Sequence, residues 1–233
     1  MSNREPEGIV QEAAERLRDT VEEIKPKLRG WLHVGIAPLA FFSFLVLLVI
    51  SDDTRVRVGA AVFMVSALLL FSTSGIYHTG RWSGQARTIW KRLDHANIFV
   101  LIAGSYTPFS LLLLSTKHWI IMLSLVWGGA LLGVLFKVFW IGAPRWLYVP
   151  LYLMLGWAAV IYFPEFADKA PTAVLVLLIV GGGLYTIGAL VYAFKWPNPS
   201  PRWFGFHEVF HAFTIAAFVV HYIGISILAY DKY

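Results

Sequence analysis

The sequence predicts an all-α integral membrane protein, a bundle of seven transmembrane helices with its N-terminus in the cytoplasm and its C-terminus outside. Three observations carry this. Hydrophobic residues make up 58% of the 233 residues and charged residues only 14%, where soluble domains carry roughly 25% charge. Seven apolar runs each approach the ~20 residues that a helix needs to cross a bilayer core. The Lys and Arg residues between those runs are unequally shared between the two sides.

The chain divides into two parts. Residues 1–30 hold seven of the fourteen acidic residues and six of the nineteen Lys and Arg. Val10, Ala13, Ala14, Leu17, Val21, Ile24 and Leu28 recur at helical spacing there, which predicts a short amphipathic helix ended or bent by Pro26. Its charge and the lack of an early apolar stretch exclude a signal peptide. A solvated helix beside the membrane is the simplest expectation, with partner binding or contact with a lipid surface as the alternative. Residues 31–233 form the membrane domain, with spans near 32–51, 57–78, 95–115, 118–138, 146–163, 172–194 and 207–229. Eight of the ten Trp lie near proposed span ends, at Trp31, Trp82, Trp90, Trp119, Trp140, Trp146, Trp196 and Trp203, as an interfacial belt requires.

Connections this short make neighbouring spans antiparallel. One side then collects residues 1–30, the 79–94 loop, the 137–145 region and the 195–206 loop, with fourteen Lys and Arg; Arg55, Arg57, Lys117, Lys169 and Lys232 fall on the other. Basic residues concentrate on the cytoplasmic side. The same scatter excludes a nucleic-acid footprint, which needs one basic patch. With no cysteine, disulfides and thiolate metal sites are excluded as well. Gly181-Gly182-Gly183, inside the sixth span, predicts close helix packing rather than a phosphate loop, because no strand precedes it.

Ionisable residues at membrane depth are functional candidates by default. Here they are His78, Asp94, His95, His207, Glu208, His211 and His221, with Lys137 able to snorkel to the cytoplasmic edge. His207 and His211 are four residues apart, so both imidazoles share one helix face. They open the seventh span at the end where Ser74-Gly75-Ile76-Tyr77-His78 closes the second. Three imidazoles from two spans therefore lie at one depth, and three neutral imidazoles with an open position make a catalytic zinc arrangement. Asp94 begins the third span at the same end. It can orient a ligand imidazole or bond a zinc-held water, or cap the third helix. Ser74, one turn before His78, is a back-bonded hydroxyl or a polar group on the metal-holding face. His33, His118 and His221 read as structural; Pro108 should kink the third span.

His207-Glu208-Val209-Phe210-His211 also matches H-E-x-x-H, the zincin signature, in which Glu is the general base. For an intramembrane metalloprotease the chain after the motif offers only His221 or Asp231 as a third ligand, and a third ligand from upstream is the arrangement with His78. His221 lies ten residues on, about 15 Å along the helix axis, so the protease is the least favoured alternative, whereas the metal-binding part of the motif survives.

Ser74-x-x-x-His78, Asp94 sixteen residues later, and His207-x-x-x-His211 in the last span resemble the hemolysin III family, grouped with the progestin and adiponectin receptors and more distantly with the alkaline ceramidases. Asp94-His95-Ala96-Asn97-Ile98 and Ile102-Ala103-Gly104-Ser105-Tyr106-Thr107-Pro108 look like the bacterial branch. The resemblance covers about 31–233. It implies seven helices, a cytoplasmic N-terminus and one zinc held by His78, His207 and His211, with Asp94 and Ser74 near the zinc-bound water; His95, next to Asp94 but about 100° around the helix, is a supporting candidate from its position alone. Glu208 lies outside the shared pattern. Relatives are linked to lipid-amide hydrolysis, hormone-type reception, membrane-fluidity homeostasis and haemolysis. The expected protein is thus a zinc-binding protein of the cell membrane (the inner membrane in a bacterium), with membrane lipid as partner and a zinc-dependent lipid-amide hydrolase or a membrane-state regulator as its function. The alternatives are a sensor with structural zinc and a pore-forming hemolysin.

Overall fold

The computed structural model describes residues 26–140 and 142–230. The predicted amphipathic helix of the N-terminal segment lies outside the described residues, apart from its last few. Seven helical segments long and apolar enough to cross a membrane follow: Trp31–Ile50, Thr54–Thr79, Gly84–Leu113, Thr116–Phe139, Arg145–Lys169, Thr172–Phe194 and Phe206–Tyr230. They are called spans one to seven. The fold class read from composition is therefore the one observed.

Two boundaries differ from the expectation. Span three begins at Gly84, eleven residues before the expected start, because the polar stretch Gln85–Leu93 continues the helix beyond the apolar run. An apolar window finds only the part of a helix that needs lipid. Span five is longer than expected and is broken. Its helix Arg145–Gly156 gives way to a 3-10 turn at Ala158–Tyr162 and then to the helix Phe163–Lys169. Backbone groups freed inside a membrane need partners, and the Tyr106 hydroxyl supplies them. It donates to the Gly156 carbonyl at 2.6 Å and accepts from the Ala159 N–H at 2.9 Å.

Burial shows where the centre of the bundle lies. In span three 72% of the most apolar window is buried; the figure is 44% for spans two and seven and 22% for each of the others. Small residues let these three helices approach. A Cβ on Gly59 of span two would sit 2.6 Å from the Pro108 Cα, and one on Gly104 of span three 2.2 Å from the Ser66 Oγ. The glycine run of span six behaves less uniformly than expected: Gly181 packs directly against His221, while Gly182 and Gly183 meet nothing. Large apolar side chains such as Leu39, Val49, Leu132, Ile179 and Phe194 stay exposed on the outside of the bundle, where lipid replaces water as solvent.

Each end of the bundle is tied by polar contacts. At one end, Glu165 of span five accepts from Ser115 N–H at 2.7 Å and from Lys169 at 2.7 Å, and also pairs with His118. His118 thus ties spans four and five through Glu165. At the other end, the turn before span one pairs with the loop before span seven, Lys27 N–H to Arg202 O at 3.0 Å and Leu28 N–H to Trp203 O at 3.2 Å. This second end carries the residues singled out for chemistry.

Candidate metal centre

Spans two, three and seven, the three most enclosed helices, position the site. Span seven starts where Asn198 Oδ1 accepts from Phe206 N–H at 3.0 Å and Glu208 Oε2 accepts from Gly205 N–H at 2.7 Å. Both are side-chain caps on otherwise orphaned amides. The helix so begun carries His207 and His211 on one face, turned toward span two. Span two ends one residue after His78. Gly30, the residue before span one, backs that end in a left-handed conformation (φ 84°), and a Cβ there would stand 2.6 Å from the His78 Cβ. Glycine is needed for the turn and for the space.

The three imidazoles come together. One ligand atom from each of His78, His207 and His211 lies within 4.8 Å of the other two. His207 Nε2 and His78 Nε2 face each other at 3.2 Å. His211 is 2% exposed and its Nδ1 has no hydrogen-bond partner. Nitrogens so placed fit a divalent cation that prefers imidazole ligands. Asp94 stands beside them, its Oδ2 3.5 Å from His78 Nε2 and 3.7 Å from His95 Nδ1. Ser74 is completely buried and its Oγ lacks a partner. Ser74, Asp94, His95, His207 and His211 all line one interior cavity of about 20 Å³, which is room for about one water molecule.

The early start of span three changes the role of Asp94. Ser83 precedes the first residue of that helix, so Asp94 lies three turns inside it and does not cap it. An aspartate at a buried helical position needs another reason, and the neighbouring imidazoles provide one. His95 is held in place by Lys91 O at 2.8 Å from its Nδ1 and by the Tyr192 hydroxyl at 3.4 Å from its Nε2. Asn97 locks spans two and three just below, donating to Leu69 O at 3.2 Å and Thr73 Oγ1 at 2.9 Å.

Glu208 has a different occupation from the one its motif implies. It is wholly buried; Oε1 accepts from Arg29 Nε at 2.8 Å, and Oε2 holds the Gly205 amide. Both oxygens are engaged in anchoring span seven to the entry of span one. His33, read from the sequence as structural, lies in the cavity wall. It stacks on His211 with ring centroids 3.9 Å apart, and neither of its ring nitrogens has a partner. Lys137 does not snorkel to the edge. It is 1% exposed and lies over the Tyr148 ring, 3.8 Å from its centroid. Tyr192 also lines the cavity and escaped the sequence reading, since a tyrosine near the end of a span looks like any interfacial aromatic.

A family model described as "Haemolysin-III related" matches residues 21–222. The chain is 32% identical over 196 residues to the hemolysin-3 homolog of Bacillus subtilis (strain 168), covering 82% of this chain and 89% of that one. Hemolysin-3 of Bacillus cereus is 25% identical over 205 residues, with 86% and 90% covered. The adiponectin receptor protein of Drosophila melanogaster is 28% identical over 223 residues, and there the match takes in 85% of this chain but 49% of the receptor. No solved structure matches. The match to the family model over most of the length, together with these relatives, makes the chain a member of the haemolysin-III related family of multi-pass membrane proteins.

Proposed function

We propose that the protein binds zinc through His78, His207 and His211 and uses it to hydrolyse a lipid amide or ester within the membrane. The observation that carries the proposal is the meeting of His78 and His207 Nε2 atoms at 3.2 Å with His211 beside them. Two imidazole lone pairs turned on each other repel unless a proton or a cation lies between them.

His78, His207 and His211 would hold the zinc ion, which would supply Lewis acidity and lower the pKa of a water toward neutrality. The rest belongs to the protein. Asp94 Oδ2 faces the ligand imidazole and the cavity, where it can accept a proton from water and return it to a leaving amine. Ser74 Oγ, buried in the same cavity wall as Asp94, can donate to an oxyanion developing at the substrate carbonyl. Burial among spans two, three and seven excludes bulk water. A lipid substrate reaches such a depth laterally from the bilayer.

The test is metal analysis of the purified protein beside a His207→Ala/His211→Ala variant, followed by turnover assays on a broad panel of lipid amides and esters. The expected result is about one zinc per chain, lost in the variant, with zinc-dependent turnover. Bound zinc with no turnover across the panel would sink the hydrolase.

The placement of the three imidazoles on spans two and seven favours a second reading, in which the metal is a pin between those spans and the protein senses or regulates membrane state. In that case His78→Ala lowers stability as much as it impairs function. A fully stable His78→Ala protein, defective only in turnover, would exclude the pin.

A further inference from the structure

At the same end of the bundle, on the side of spans four, five and six, two cations lie over one pair of tyrosines. Lys137 of span four lies over Tyr148 of span five. Arg145, the first residue of span five, lies over the rings of Tyr192 and Phe206, 4.7 and 5.4 Å from their centroids. Arg145 is half-buried and Lys137 buried. Neither pairs with a carboxylate among the described residues. Cation–π contact offsets part of the desolvation of a buried ammonium, yet an uncompensated charge in such a place still costs free energy.

The aromatic residues under these cations lead to the metal centre. The Tyr148 and Tyr192 hydroxyls are 3.1 Å apart, and the Tyr192 hydroxyl is 3.4 Å from His95 Nε2. Tyr192 and His95 are walls of the cavity that holds His207 and His211. Around the cations, Phe139, Trp140, Trp146, Phe194 and Trp196 project from the outer surface, each more than half exposed. Such a belt lies at the level of lipid headgroups.

We propose that Lys137 and Arg145 bind the anionic headgroup of a membrane lipid, a phosphate monoester or diester, and hold that lipid against the Tyr148–Tyr192–His95 wall of the metal cavity. Positive charge that draws anions from solution would be exposed. Here it deepens inward within the headgroup belt, where the acyl chains of a bound lipid can remain among the exposed apolar side chains. The guanidinium offers a fork for phosphate oxygens and the ammonium a point charge. The site binds lipid whether or not the metal centre turns it over.

The full-length protein, stripped of lipid in detergent, is titrated with short-chain phosphatidylglycerol, with phosphatidylcholine and with inorganic phosphate, and bound lipid is counted by native mass spectrometry. Wild type should prefer phosphatidylglycerol over phosphatidylcholine by at least tenfold. Lys137→Met and Arg145→Gln should each bring the two lipids to within about threefold, and Lys137→Arg should restore the preference. Lys117→Gln, at the opposite end, should leave it unchanged. Metal content is measured for every variant and should equal that of wild type, so a failure of this site is separable from a failure of the metal centre. A preference that survives in both Lys137→Met and Arg145→Gln overturns the proposal, as does a wild type without preference. Displacement of phosphatidylglycerol by millimolar inorganic phosphate would overturn it in favour of a free anion.

Discussion

The side chains of the metal centre differ in what their loss should do. Asp94 touches the ligand imidazole without being one of the three nitrogens that meet. Asp94→Asn should therefore retain metal and lose proton transfer, lowering turnover about 100-fold or more, in the range general acid–base groups contribute. Metal analysis beside a rate measurement checks it. Glu208 gives the opposite pattern. Its two oxygens bind Arg29 and the Gly205 amide, so Glu208→Gln should keep both metal and turnover while unfolding more easily. If Glu208→Gln abolished turnover in a folded, metal-loaded protein, the zincin role for Glu208 would return. Arg29→Met is harsher, because it strands a carboxylate with no exposure. Breaking a buried pair from one side costs about 3–5 kcal/mol, readable as a drop in the denaturation midpoint.

At the scale of elements, the break in span five depends on one hydroxyl. Tyr106→Phe removes a donor to Gly156 O and an acceptor for Ala159 N–H. Two unmet backbone groups at that depth should cost about 2–4 kcal/mol. Faster amide exchange should be confined to residues 156–162, and protection there equal to wild type would count against the pinning role. The break also shows where the sequence stops being legible. The length of the apolar runs located every span, because lipid demands apolar length. It placed span three's start eleven residues late, because the polar turns from Gly84 to Asp94 make no such demand. That error moved Asp94 to a helix terminus and so left a capping role open. His207 and His211 could be paired from their spacing alone, and His78 joined them by depth. Tyr192 and His33 could not be placed, since which face of an apolar helix meets the site depends on packing between spans.

For the whole molecule, the unequal sharing of Lys and Arg predicts the direction. The metal end carries the basic loops and should face the cytoplasm. The chain has no cysteine, so single cysteines can report it directly. In intact cells an impermeant maleimide should label Thr116→Cys and spare Ser83→Cys; the reverse pattern would invert the topology. Metal should also hold the bundle together. Stabilisation by a ligand grows with its free concentration and reaches about 2.7 kcal/mol at 100 times Kd. Chelation should lower the unfolding temperature of wild type and leave that of His207→Ala/His211→Ala unaffected.

The pairing of the first turn with the last loop also bears on how the protein is made. Arg29 leaves the ribosome near the start of synthesis and Glu208 near its end, and the two meet only when span seven has entered the bundle. His78 waits in the same way for His207 and His211. A nascent chain halted before residue 206 carries no complete site, whatever spans it has already inserted. If the three imidazoles hold a metal ion, its loading would report completed biosynthesis, and a prematurely terminated chain would lack the ligands of span seven.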